Sequence, residues 1–144
     1  MSTLAEVRHL ISDVFEEIGV DSYDARLDKN TWGIAKGSAG GIIALAANEQ
    51  TPDYSILYAA FRIMKVPASK SLPFFRRLLE INLTLNGRAA FAVDGENIVW
   101  LTSGRFIRDL NHSEIVGLIL YTLELADLYD DQLLNEFGRD HTLT

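Results

Sequence analysis

The stretch Leu78–Gly95, LLEINLTLNGRAAFAVDG, decides the fold, because two periodicities compete inside it. Ile81, Leu83 and Leu85 alternate with Asn82, Thr84 and Asn86, which is the period of a strand, and Asn86-Gly87 is a strong hairpin signal. The residues just before, KSLPFFRRLLE, run at helical spacing, and Asn-Gly suits a helix C-terminus equally well. Counting favours the helix. From about Ser71 to Thr84, Leu72, Phe75, Leu78, Leu79 and Ile81 share a broad apolar side, and Arg76, Arg77, Glu80 and Thr84 share the other. A hairpin would confine the helix to the few residues between Pro73 and Glu80. The helical reading sets Asn82 among apolar positions, where its amide needs hydrogen-bond partners, since leaving it unpaired costs about 1–3 kcal/mol.

Working outward, the chain upstream opens with a helix capped by Ser2 or Thr3 and ended by Gly19, with Leu4, Val7, Leu10, Ile11, Val14, Phe15 and Ile18 in one narrow stripe. From Thr31 to Val66 the texture is that of strands: TWGIAK, a GSAGG turn, IIALAAN, a polar EQTPD loop and YSILYAAFRIMKV. The second strand is apolar on both faces, which predicts a central position. Pro67 stops the third, and Ser69 or Ser71, followed by Pro73, predicts a helix start. Downstream of Gly87, RAAFAV and NIVWLT flank the turn Asp94-Gly95 and predict a hairpin.

A capping pair, Asn111 with Glu114, begins a last helix that continues through Phe137 to Gly138. Ile115, Ile119, Leu123, Ala126, Leu133 and Phe137 form one apolar face. Leu118, Tyr121, Leu125, Leu128 and Tyr129 form an adjoining second one. A single sheet contact covers only the first, so the second is expected to meet another neighbour, within the chain or from a second subunit. The predicted architecture is α+β, an antiparallel sheet with helices packed on it in the order α-β-β-β-α-β-β-α. It forms one domain over residues 1–144, with a core at about 3–138 and a tail at 139–144.

Composition narrows the function. At 144 residues, with 48% hydrophobic and 23% charged side chains, the chain has the make-up of a globular domain with a real core. No apolar run reaches the roughly 20 residues of a membrane span. The first residues, MSTLAEVRHLISDVFEE, lack the pattern of a secretory leader, and with no cysteine in the chain the cytoplasm is the expected compartment. The net charge of -7 lies entirely in the last quarter: residues 1–108 hold 12 acids and 12 bases, whereas residues 109–144 hold eight acids and only Arg139. Nucleic acid is therefore not expected as a partner, because phosphate neutralisation needs clustered Lys and Arg. A basic protein would suit the acidic end better.

Chemistry-bearing motifs are sparse. YDDQLLNEFGRDH lacks the alternation and glycine of a calcium loop, and a solvated helix face explains it. His9, His112 and His141 are scattered without metal-ligand spacing. KGSAGG matches neither the Walker pattern nor G-x-S-x-G and precedes a strand rather than a helix. Asn82-Leu-Thr84 and Asn111-His-Ser113 match the glycosylation triplet, but a cytoplasmic chain would not use it. Glu80 and Glu96 could be imagined as an acid pair, yet nothing in the sequence brings them together. Trp100, Tyr58 and Phe61 are expected in the core. No catalytic residue, cofactor or metal is expected, and a sheet face left partly open to a partner's apolar segment is the sharper possibility.

With this order of elements, KVPASKSLPFFRRLLEINLTLNGRAAFAVDGENIVWLTSGRFIRDL together with ELADLYDDQLLNEFG resembles the YbjN family, over roughly Thr31 to Gly138. The resemblance implies the fold of the class I type III secretion chaperones, which bind an extended client segment and are often homodimers. It carries no catalytic site, and its label, a putative regulator of sensory transduction, names no chemistry. The resulting expectation is a non-catalytic, chaperone-like or regulatory protein-binding module. It would act as a cytoplasmic homodimer with an unidentified protein client, self-associating through its second or third long helix, with Leu118, Tyr121, Leu125, Leu128 and Tyr129 as the named surface. The alternative is a small-molecule-binding or enzymatic domain using the open sheet face.

Overall fold

The computed structural model describes residues 3–36 and 39–138. Gly37 and Ser38 of the GSAGG turn, and the expected tail at 139–144 with His141, lie outside the described residues. Helix α1 (Leu4–Glu17) starts at Thr3, whose hydroxyl accepts the Glu6 N–H, and stops at Gly19, whose φ of 87° suits glycine. A short helix α2 (Ser22–Ala25) and strand β1 (Arg26–Asp28) follow. Sequence reasoning missed both, because neither is long enough to show a period. Strands β2 (Thr31–Lys36), β3 (Ala39–Ala46) and β4 (Ile56–Lys65) then lead to helix α3 (Ser71–Leu85), hairpin β5 (Ala90–Val93) and β6 (Ile98–Phe106), and helix α4 (His112–Phe137). The order of the long elements is the predicted one.

The opening stretch is a helix feeding a strand. Helix α3 runs to Leu85, and Asn86 takes the left-handed conformation at its C-cap, φ 55°, with Gly87 beside it at φ 80°. At the other end neither serine caps it: the N-cap position falls on Lys70, which offers no side-chain bond. Asn82 finds the partners it needs on the neighbouring strand. Its Oδ1 accepts the Phe91 N–H at 2.7 Å and its Nδ2 donates to the Phe91 carbonyl at 3.3 Å.

The six strands form one antiparallel sheet in the order β1-β2-β3-β4-β6-β5. Strand β3 is interior, as its two-sided apolar pattern predicts, and it lies so close to β4 that a Cβ on Gly41 would come within 2.1 Å of the Ala60 carbonyl. Helix α4 crosses β2, β3, β4 and β6, α1 packs on α4, and α3 packs on β5. All three long helices cover the same side. The core lies between them and the sheet, built from Trp32, Ile43, Leu57, Phe61 and Leu101 below and Val7, Ile11, Phe15, Phe74, Ile115 and Ile119 above. Phe15 meets Trp32 edge-on at 6.3 Å, and Phe74 meets Phe137 at 4.9 Å.

Candidate functional site

Because strand side chains alternate, burying Leu57, Ala59 and Phe61 under the helices turns Ile56, Tyr58, Ala60 and Arg62 to the opposite face. The register aligns them with Ala46, Ala44, Ile42 and Gly40 of β3 on one side, and with Phe106, Gly104, Thr102 and Trp100 of β6 on the other. No long helix covers this face. Among the described residues the α2–β1 corner reaches it, where the Leu27 side chain lies 3.7 Å from the Cβ position of Gly33. Phe61 is core as expected; Tyr58 and Trp100 are not, and stand half-buried on the uncovered face. A strand period tells the two faces apart but not which one a helix will cover.

At one end this face deepens into a groove of about 790 Å3 between Ile56, Gly104, Phe106, Arg105 and Arg108. Next to Ile56, Ser55 is buried: the hydroxyl accepts the Asn48 N–H at 2.7 Å and the carbonyl accepts the Ile107 N–H at 3.0 Å. That pairing holds Tyr54 edge-on to Phe106 at 5.7 Å, with both rings more than half exposed. The Arg105 guanidinium is engaged by the Glu114 carboxylate in the first turn of α4, so the arginine locks the sheet to the helix. At the other end, Asp94 organises the hairpin. Its Oδ1 accepts the Glu96 and Ile98 N–H groups and its Oδ2 accepts the Trp100 indole N–H at 2.9 Å. The indole bond, followed by the Ile98 N–H, holds the Asp94 carboxyl below the usual carboxylate range.

A second uncovered surface lies on α3. The broad apolar side expected from its sequence divides in two. Phe74, Leu78, Ile81 and Leu85 face the core, while Leu72, Leu79 and Leu83 are 79%, 68% and 80% exposed, with Phe75 beside them. Phe74 and Leu85 had not been assigned to the apolar side. Arg77 does not face solvent alone but spans to α4, donating to Glu136 at 3.0 and 3.2 Å.

The α4 flank has a mixed environment. Leu118, Leu125 and Tyr129 are partly buried against the core of their own chain, and the Tyr129 ring meets Phe91 edge-on at 5.5 Å. Tyr121 lies under the Arg88 guanidinium at 5.3 Å, and Leu128 is about half exposed. Elsewhere, His9 approaches Asp13 on α1, and His112 contacts Glu17, joining α4 to α1. Among the described residues no three His, Asp or Glu side chains gather as metal ligands, and no helix is long and apolar enough to cross a membrane.

An antiparallel sheet with long helices on one face is the fold of the type III secretion chaperones. A chain in the crystal structure of the ExsC–ExsE complex superposes with a TM-score of 0.68 at 17% identity, covering 91% of this chain and 96% of that one. The Yersinia pestis type III secretion chaperone SycH, in complex with a stable fragment of YscM2, superposes with a TM-score of 0.50 at 16% identity, covering 84% and 97%. No protein-family model and no curated protein matches the sequence.

Proposed function

We propose that this chain is a non-catalytic protein-binding module, chaperone-like or regulatory, that works in the cytoplasm as a homodimer and holds a protein client. The observation that carries this reading is the apolar surface its own helices leave free: the sheet face ending at Ile56 and Phe106, and the outer stripe of α3. Exposed apolar side chains gathered on one face favour an interaction surface. The shared fold supports the same reading, since the ExsC and SycH structures are complexes with protein partners. The YbjN resemblance adds a regulatory role in sensory transduction. One surface serves the client and the other the second copy; on the α4 flank, Leu128 is about half exposed and Tyr121 is partly buried beneath Arg88.

Affinity capture from native cell extract tests the client, comparing wild type with an Ile56→Glu/Phe106→Glu variant of unchanged circular dichroism. A stoichiometric protein retained by wild type and lost by the variant is expected. Recovery of the protein alone from both, or equal capture by both, would sink the reading. The second reading, a small-molecule site, draws on the volume of the groove by Phe106, which is ample for a metabolite. Native mass spectrometry of protein purified from that extract separates the two: a retained small molecule would favour it.

A further inference from the structure

The net charge of -7 is divided unevenly between the two sides of the sheet. Helix α4 exposes Glu124 and Asp131 on the helix side, whereas strands β2 to β6 contain no Asp or Glu and hold Lys36, Arg62, Lys65 and Arg105. At the margins of the uncovered face the acids are engaged locally: Asp94 accepts three bonds within its hairpin, and Asp28 of β1 accepts the Asn30 N–H at 2.8 Å. An acidic protein thus presents its open apolar face on five strands without a carboxylate.

The groove by Phe106 sharpens this asymmetry, because its two arginines differ. Arg105 serves the fold: Glu114 engages its Nη1, and its Nε donates to the Phe106 carbonyl at 3.2 Å. Arg108 is 70% exposed, its side chain makes no hydrogen bond among the described residues, and its pairing with Asp109 is loose at 3.9 Å. Beside it the floor is apolar and open. A Cβ on Gly104 would stand 3.1 Å from the Tyr58 Cβ and 3.4 Å from the Ile56 Cγ2, so the glycine leaves a gap between those side chains. An apolar gap with one open guanidinium at its rim complements an apolar group joined to a carboxylate, which arginine binds in a bidentate manner. In an extended chain, side chains two residues apart point the same way, about 7 Å from each other.

We propose that the groove receives an extended client segment in which an aliphatic or aromatic side chain and a carboxylate stand two residues apart. The apolar group sits over Gly104 between Ile56 and Phe106, and the carboxylate meets the Arg108 guanidinium. This rests on the client-binding reading above and gives the client its chemistry.

A library of random short peptides displayed on phage, selected on the immobilised full chain, tests it. Wild type should enrich peptides with Asp or Glu two residues from an apolar residue. Arg108→Glu should lose that enrichment and favour Lys or Arg instead, and Ile56→Glu/Phe106→Glu should retain none of the wild-type peptides. For a selected peptide, fluorescence anisotropy should show about tenfold weaker binding to Arg108→Gln, and a matching loss when the peptide's Glu is replaced by Gln. A wild-type pool without excess acid, or one unchanged by Arg108→Glu, would overturn the proposed chemistry and leave the client reading standing. Retention of the same peptides by Ile56→Glu/Phe106→Glu would place the binding elsewhere and overturn the proposal. Displacement of the peptide by octanoate at the peptide's own concentration would make the groove a small-molecule site, with the same consequence. If wild type enriches no peptide above background, the proposal and the client reading of this groove fall together.

Discussion

At the scale of single residues, Asn82 resolves the ambiguity of its own neighbourhood. Strand β5 is an edge, and an edge strand presents unpaired N–H and C=O groups that invite further pairing. The Asn82 amide takes both groups of Phe91, so the last turn of α3 is fastened to the sheet where the sheet would otherwise end. Asn82→Leu should cost about 1–3 kcal/mol in urea denaturation, because it leaves a half-buried peptide unit unpaired. Hydrogen exchange at the Phe91 amide should quicken more than at Leu101; equal protection in both proteins would remove Asn82 from this role. Asp94 acts similarly at the hairpin. Its carboxylate is the hydrogen-bonded form, so its ionised state contributes stability above the unfolded value of about 3.9, and that contribution fades as pH falls through the lower folded value. Asp94→Asn should therefore lower the urea midpoint at neutral pH, with the gap to wild type closing below about pH 4. A gap that persists unchanged into acid would rule out the carboxylate as its source.

At the scale of elements, α3 is a helix with two apolar faces, and only one supports its own fold. Phe74 is fully buried against Phe137, whereas Leu79 is 68% exposed. Phe74→Ala should cost about 3–5 kcal/mol. Leu79→Ala should stay within about 0.5 kcal/mol at concentrations where the chain is monomeric. Comparable losses at the two positions would mean that the outer stripe is core. Helix α4 differs because its second face is shared: Leu118, Leu125 and Tyr129 lean on the core, and Leu128 emerges from it.

At the scale of the whole molecule, the long helices occupy one side of the sheet, leaving the other side and the outer stripe of α3 uncovered. The two surfaces lie on opposite layers, so substitutions in them should act independently. Phe106→Glu should abolish client capture while leaving the sedimentation coefficient unchanged, and Leu83→Asp should change the sedimentation coefficient first. Joint loss of both properties from Phe106→Glu alone, with the fold intact, would mean that client and second copy share one surface.

Local signals in the chain were sufficient for the number, type and order of the long elements, for the capping roles of Asn86 and Asn111, and for a hairpin after Val93, although its loop runs from Asp94 to Asn97 and takes its left-handed residue at Asn97 rather than Gly95. Those features depend on short-range periodicity and on turn chemistry, which neighbouring residues specify by themselves. Tertiary structure decided everything that depends on who packs against whom. It split the apolar side of α3 into a buried and a free face, turned Tyr58 and Trp100 away from the core, and joined Asn82 to Phe91. Periodicity states that a face is apolar; only the assembled layers determine whether the chain itself covers that face or leaves it for another molecule.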